Sequence, residues 1–358
     1  MPLSYVIKSV ISRKMNAVKS LCQIDRRRSG EFSQPVVVRS SVSLSRNFLE
    51  LKFPNAQSDQ ERALAYAYIN ERLRKQRQLN RLITVSDITR LECLALQERG
   101  LLPGLSENDC GLLYSESSNV SVILNGADHI CIQATDCGKS LKETFKKINA
   151  LDNKLDDGHY AFSPQWGYLT ADPMHVGTGL CTSVILHLPG MVEQHQIDFL
   201  IRALQQININ LEPYSILSHS EHFFQLSNQQ TLGIQESEEL RRIEQVIETI
   251  IEQEFLARVQ LQQDRIAFLD RLGHIYGILR SGYLLSEKDA VKMLSWMRLA
   301  ADLRIIEEKN RSDIDQLMID VLPGNLCVLF GQSADAQDNN RFRAEKVRQV
   351  FHQINEPR

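Results

Sequence analysis

The chain has 358 residues, 43% of them hydrophobic and 24% charged, enough to bury a sizeable core in about two domains and too mixed for a disordered, collagen-like or purely coiled-coil protein. Forty-one Lys and Arg against 44 Asp and Glu leave a net charge of −3, which argues against affinity built on wholesale neutralisation of nucleic-acid phosphates, and no apolar run approaches the roughly 18 to 20 residues of a membrane span. Seven cysteines, none in a C-x-x-C spacing, fit free thiols in a reducing compartment, and a cytoplasmic location is the expectation.

In the first thirty residues Lys8, Arg13, Lys14, Lys19, Arg26, Arg27 and Arg28 stand against Asp25 alone, with Val6, Ile7, Val10 and Ile11 as an apolar side. This reads as an N-terminal helix packed on the domain with its basic face in solvent, although a transit peptide or a surface-active helix shares the pattern. From Glu31 to about Gly233 helical stretches alternate with short β-branched strands, and from Glu236 the pattern is almost purely helical. An α+β domain over 1–235 followed by a helical domain over 236–358 is expected.

Ser58 and Glu61 have capping-box spacing, predicting a helix that carries Leu64, Tyr68, Ile69 and Leu73 inward. Val120, Val122 and Leu124 alternate with Ser121 and Ile123, and Asn125-Gly126 offers a tight turn before Ile130, Cys131 and Ile132, so a β-hairpin is expected. A strand over Thr182 to Leu188 should end at Pro189-Gly190, ahead of a helix carrying Ile197, Leu200, Ile201 and Leu204 on one side. Ile207, Ile209 and Leu211 alternate with Asn208 and Asn210 as a half-buried strand. Beyond Glu236, Leu240, Ile243, Val246, Ile247, Ile250 and Ile251 form the stripe of an amphipathic helix running past Phe255. That stripe suits either a dimerisation surface or packing within the chain. Ser286 with Asp289, and Ser312 with Asp315, open two more helices, and Pro323-Gly324 breaks the pattern before a basic end with Arg341, Arg343, Lys346 and Arg348.

The reactive inventory is poor. His129 and His175 lie near turns, but no His/Cys/Asp/Glu cluster has metal-ligand spacing, so no metal is expected. Gly177-Thr178-Gly179 would let a backbone approach phosphate oxygens, yet it lacks the lysine and further glycine of a P-loop. No nucleophile elbow frames any serine.

Longer segments carry more. Gly167 to Pro189, GYLTADPMHVGTGLCTSVILHLP, resembles the signature stretch of the phosphagen kinases, the ATP:guanido phosphotransferases. Ser121 to Gln133, SVILNGADHICIQ, is similar to the stretch around that family's Asn-Glu-Glu-Asp motif, and Val36 to Asn47, VVVRSSVSLSRN, to its Arg-x-Arg phosphate segment. Tyr276 to Ile306, YGILRSGYLLSEKDAVKMLSWMRLAADLRII, resembles the helical domain of the bacterial protein-arginine kinase branch, McsB. The resemblance implies an antiparallel sheet flanked by helices with a helical N-terminal part, then a helical C-terminal domain for interaction or dimerisation.

Members of this family set Mg-ATP against a guanidinium and move the γ-phosphoryl in line, so the chemistry is mainly positioning and neutralisation of phosphate charge, largely by arginines. At the matching positions this chain has Ser41 and Ser43 for the Arg-x-Arg pair, Cys131, Cys181 and Glu212 for three further arginines, while Arg39 and Arg46 remain nearby. A charged hydrogen bond is worth roughly 1.5 to 3 kcal/mol, so five losses remove about 7 kcal/mol or more, against the roughly 8 of a micromolar ligand. On the guanidinium side Asn125, Asp128 and His129 survive, but the two glutamates are Gly126 and Ala127, the reactive cysteine is matched by Asp172, and a second acidic residue by Leu217. Losing a general base alone costs about 10² to 10⁴ in rate. The phosphoarginine-reading Arg-Asp pair of the branch is matched by Asn339 and Asn340.

A pseudokinase acting as a regulatory or scaffold protein is therefore the leading expectation. By resemblance its setting is Clp-type protein quality control, its partners a Clp-type unfoldase or a small zinc-finger activator, and its state a homodimer, with neither nucleic acid nor membrane involved. One alternative is an active arginine kinase that holds Mg-ATP, its only cofactor, with Arg39 and Arg46. Another is a binder of phosphoarginine or guanidino compounds that pairs the cation with Asp128 and Asp172.

Overall fold

The computed structural model describes residues 17–25, 34–76, 79, 81–102, 110–115, 119–136, 140–217, 219–331 and 336–357. Helix α1 covers 17–25; most of the basic N-terminal segment, and Cys137, lie outside the described residues. The centre is an eight-stranded sheet of β1 (Val37–Arg46), β2 (Arg81–Thr84), β3 (Gly111–Tyr114), β4 (Val120–Leu124), β5 (Ile130–Asp136), β8 (Leu180–His187), β9 (Ile209–Pro213) and β10 (Phe223–Asn228). Its order is β2-β3-β4-β5-β1-β8-β10-β9, antiparallel throughout, and β6 (Phe162–Ser163) with β7 (Gly167–Tyr168) makes a separate short hairpin.

Because side chains alternate across a strand, β1 divides its residues between two faces. Val42 and Leu44 join Ile130, Ile132, Leu180, Val184 and Leu226 in a core covered by α2 (Asp59–Arg74), α4 (Leu141–Leu155), α6 (Ile197–Gln205) and α7 (Glu236–Leu261). On the other face α1 and α3 (Arg90–Glu98) cover β2 to β4, which is why β4 is buried at all five positions instead of alternately. The helices α8 (Arg265–Ser281), α9 (Glu287–Asp302), α10 (Asn310–Asp320) and α12 (Ala336–Phe351) share a core of their own, which takes in Ile185, Leu217 and Phe223 from the far end of that face, while α11 (Pro323–Phe330) packs through Leu329 into the core under α1 and α3. The middle of the face stays half-buried.

Several expectations are corrected. The capping box of Ser58 and Glu61 forms, but α2 buries Ala65, Ile69 and Leu73 while Leu64 is 71% exposed. β4 and β5 pair from Leu124 and Ile130, so 125–129 form a five-residue connection; Asn125 takes the positive φ (49°) and Gly126 does not. Ile207 is exposed ahead of β9 because Asn208 (φ 54°) turns the chain there. Ser286 caps α9, whereas Ser312 lies inside α10, where its Oγ bonds the Lys309 carbonyl. The stripe of Leu240, Ile243, Ile247 and Ile250 is consumed by the sheet's core and offers no dimer surface.

Both Pro-Gly pairs open helices. Pro189 starts α5 (Pro189–Glu193) and Pro323 starts α11, each filling a position whose N–H has no partner in a helix. The next two amides are accepted by a distant buried carboxylate: Gly190 and Met191 by Glu254, Gly324 and Asn325 by Glu98, all at 2.9 Å. Each glycine lies flat on another helix, where a Cβ would sit 2.8 Å from Arg258 N or 2.5 Å from Ala95 N.

Candidate functional site

Register brings the five positions that resemblance matches to phosphate-binding arginines onto one face. Ser43 pairs with Cys181, Ser45 with Cys131, Arg39 with Ile185, and Ile185 pairs in turn with Gln225, itself opposite Glu212. Ser41, Ser43, Cys131 and Cys181 are half-buried in the open middle of the sheet, and Glu212 is exposed on the edge strand. Burial, reinforced by neighbouring negative groups, pushes the Cys131 thiol up to about 12, and burial raises Cys181 to about 11, so both are uncharged thiols at neutral pH. Ser41 Oγ donates to the Ser183 carbonyl at 3.2 Å and Ser43 Oγ to the Cys181 carbonyl at 3.5 Å. The face is a neutral lawn of small polar groups with a carboxylate at its edge.

The two remaining arginines do not replace the missing ones, which corrects the arrangement with Arg39 and Arg46. They stand seven residues apart in a strand, hence on opposite faces. Arg46 is buried on the core side, where Nη2 and Nε meet Asp152 Oδ2 at 2.6 and 3.1 Å, Nη1 donates to the Thr178 carbonyl at 2.9 Å, and the Tyr168 ring lies 3.7 Å away. Arg39 shares the open face but is held by Asp25 at 3.5 Å and by the Arg99 carbonyl.

The guanidinium-side residues are structural. Asp128 Oδ1 accepts from Asn47 Nδ2 and from the Ala171 N–H, both at 2.6 Å, in a buried setting, so the expected pairing of a cation by Asp128 fails. His129 is buried too: Nδ1 accepts from the Phe48 N–H at 3.1 Å, Nε2 lies 2.9 Å from the Lys52 carbonyl, and burial lowers its pKa. Asn125 donates to Gln57 at 3.2 Å, while Ala127 is exposed and carries no functional group. Asp172, 53% exposed, caps the short helical turn Pro173–His175 through the Met174 N–H at 2.9 Å; its other oxygen is 3.8 Å from His175 Nδ1. Of the two guanidinium-side carboxylates, Asp128 and Asp172, it is the one left open to solvent. Leu217 is buried in the helical unit's core.

Gly177-Thr178-Gly179 makes no phosphate cradle. A Cβ on Gly179 would lie 2.6 Å from the Ser45 carbonyl and one on Gly177 2.6 Å from that of Thr231, so these glycines serve close packing at positive φ. Asn339 and Asn340 lie on α12 away from this face; Asn340 Oδ1 accepts from Arg343 at 2.7 Å. Among the described residues no group of three His, Cys, Asp or Glu is placed to hold a metal, no helix is long and apolar enough to cross a membrane, and no cysteine is in a disulfide. Sequence alone does not reveal the Arg46–Asp152 pair or the role of Asn47, since 106 and 81 residues separate the partners.

The catalytic-domain family described as ATP:guanido phosphotransferase, C-terminal catalytic domain, matches residues 62–257, and the protein-arginine kinase McsB C-terminal domain matches 265–358. Protein-arginine kinase of Bacillus subtilis (strain 168) is 35% identical over 327 residues, 88% of this chain and 90% of that protein, and its counterpart in Bacillus cereus (strain ATCC 10987 / NRS 248) is 33% identical over 325 residues, 88% and 92%. Among solved structures, lombricine kinase superposes with a TM-score of 0.53 at 18% identity over 64% of this chain and 70% of that one. The duplicated taurocyamine kinase from Schistosoma mansoni gives the same TM-score and identity over 61% and 32%. These structures speak for the fold. With the likeness running through both domains and nearly the full length of the bacterial enzymes, the chain belongs to the ATP:guanido phosphotransferase family, in its protein-arginine kinase branch.

Proposed function

We propose that this member is a pseudokinase: it keeps the fold, has given up phosphoryl transfer, and works as a regulatory or scaffold protein through protein contacts. The observation that carries this reading is the uncharged centre of the open sheet face, with Ser41, Ser43, Cys131 and Cys181, while Glu212 lies at its edge and both nearby arginines are held in ion pairs. A triphosphate without charged donors is left with hydrogen bonds worth about 0.5 to 1.5 kcal/mol each. The branch's Clp-type quality control is the proposed setting, in the cytoplasm, with an unfoldase or a zinc-finger activator as partner. For a homodimer, the exposed apolar side chains at the α7–α8 junction, Leu256, Val259 and Ile266, are the surface to probe.

Calorimetric titration with Mg-ATP at near-physiological salt, from micromolar to low millimolar, tests the reading. Absence of saturable binding is expected; saturable binding together with arginine phosphorylation of a generic protein substrate overturns it. A second reading, a binder of guanidino compounds, is favoured by the open carboxylate of Asp172 alone. Titration with free arginine and with phosphoarginine that gives no heat removes it.

A further inference from the structure

Where the helical unit meets the sheet, six side chains form a chain of polar contacts with a direction. Arg298 on α9 points Nη1 at His187 Nδ1, 3.0 Å away; His187 Nε2 is 2.9 Å from Ser295 Oγ, and the same Oγ is 2.9 Å from His222 Nδ1. His222 Nε2 then faces Glu193 Oε1 at 3.7 Å, and Arg271 of α8 holds the other Glu193 oxygen at 2.9 Å. His187 ends β8, His222 precedes β10, and Ser295 and Arg298 lie about one turn apart on α9, so the chain crosses from sheet to helical unit.

The protons follow from the chemistry. A guanidinium only donates, so Nδ1 of His187 must present a lone pair, and the neutral ring carries its hydrogen on Nε2 and gives it to Ser295. The serine hydroxyl, already accepting, passes its own hydrogen to His222 Nδ1, which leaves the His222 hydrogen on Nε2 facing Glu193. Ser295 has a histidine and an acid about it, as in a hydrolytic triad. It is fully buried, however, and shared between two rings, which makes it a connector and not a nucleophile.

We infer that His187 is a proton-operated latch: the helical unit docks on the sheet while His187 is neutral, and a proton taken up at Nδ1 confronts Arg298 and releases α9. Every charged group facing the ring agrees with this. From α9 it meets Arg298; from α7, Arg258 donates to its carbonyl at 3.1 Å; from the start of β10 come His222 and the Phe223 ring, stacked 4.7 Å away. The carboxylates in reach are engaged elsewhere, Asp302 by Arg258 and Arg311 at 2.9 Å, Asp315 by Arg298 at 2.6 Å, and Glu254 by Arg258 at 2.6 Å. Burial first, then Arg298, Arg258 and His222, hold the ring well below the ordinary histidine range. The unfolded ring takes up its proton near pH 6.5 and the folded ring does not, so this contribution to stability is complete above about pH 6.5 and is lost as the pH falls.

The test uses the whole chain. Between about pH 7.5 and 5.5 the unfolding constant of the wild type should rise about tenfold more than that of His187→Gln, whose amide can take both hydrogen bonds without titrating. Ser295→Ala should keep the wild-type pH dependence at lower stability, and on acidification the amide protection factors of α9, taken relative to intrinsic exchange at each pH, should fall before those of β1. Equal pH dependence in wild type and His187→Gln, or protection falling uniformly across α9 and β1, overturns the latch. Should the variant not fold, imidazole C2-proton exchange in the unaltered protein decides: a His187 midpoint far below those of its exposed histidines supports the latch, and one at or above about 6.5 refutes it.

Discussion

The two faces of strand β1 differ in what they have kept. Val42, Leu44 and Arg46 on one face are buried against the helices and against Asp152, whereas Ser41, Ser43 and Ser45 on the other are half-buried, small and uncharged, with Arg39 beyond them held by Asp25. Since the side-chain period of a strand is two, one face can lose an entire charged set without disturbing a contact on the other. Substitution on the open face can therefore leave the packing on the core face of β1 intact.

Substitutions on either side of the strand sharpen that contrast, beginning with the largest effect. Arg46→Ala leaves the Asp152 carboxylate buried without its partner and should cost about 3 to 5 kcal/mol in denaturant unfolding. Leu44→Ala should cost about 2 to 5 kcal/mol, and Ser43→Ala, one residue away on the open face, less than about 0.5 kcal/mol. If the Ser43 variant loses as much as the Leu44 variant, the two faces are not energetically separate.

Replacing Ser41, Ser43, Cys131 and Cys181 together by arginine should bring saturable Mg-ATP binding into the same calorimetric titration, where none is expected of the unaltered protein, given what charged hydrogen bonds contribute. An unchanged titration of the folded variant would show that the missing charge is not what separates this face from a nucleotide site. The smallest contrast lies in the helices: Ser58→Ala removes a capping-box hydroxyl and should cost about 1 kcal/mol, while Ser312→Ala, inside α10, should change thermal stability by less than about 0.5 kcal/mol.

How much of this was legible in advance depended on the range of the interaction. The capping box of α2 and the serine cap of α9 were readable because cap and partner are three residues apart, and strands β4 and β5 because their apolar residues recur. The turn at Asn125 was misjudged: Asn-Gly suits a two-residue hairpin loop, but Asp128 and His129 are bound by Asn47, Phe48 and Ala171, and those tertiary bonds hold a longer connection. Pro323-Gly324 looked like a break because the carboxylate that accepts the next two amides, Glu98, is 226 residues away.

By itself the sequence determined the family and the α+β fold class, since these are matters of residue identity and short-range spacing. Even the placement of Arg39 and Arg46 on opposite faces follows from their odd separation. Tertiary structure alone decided that both arginines are engaged, that the α7 stripe is spent on the sheet, and that His187, Ser295 and His222 meet at the joint. Those contacts depend on which elements the closed fold brings together, and no local pattern encodes a partner 73 to 108 residues away.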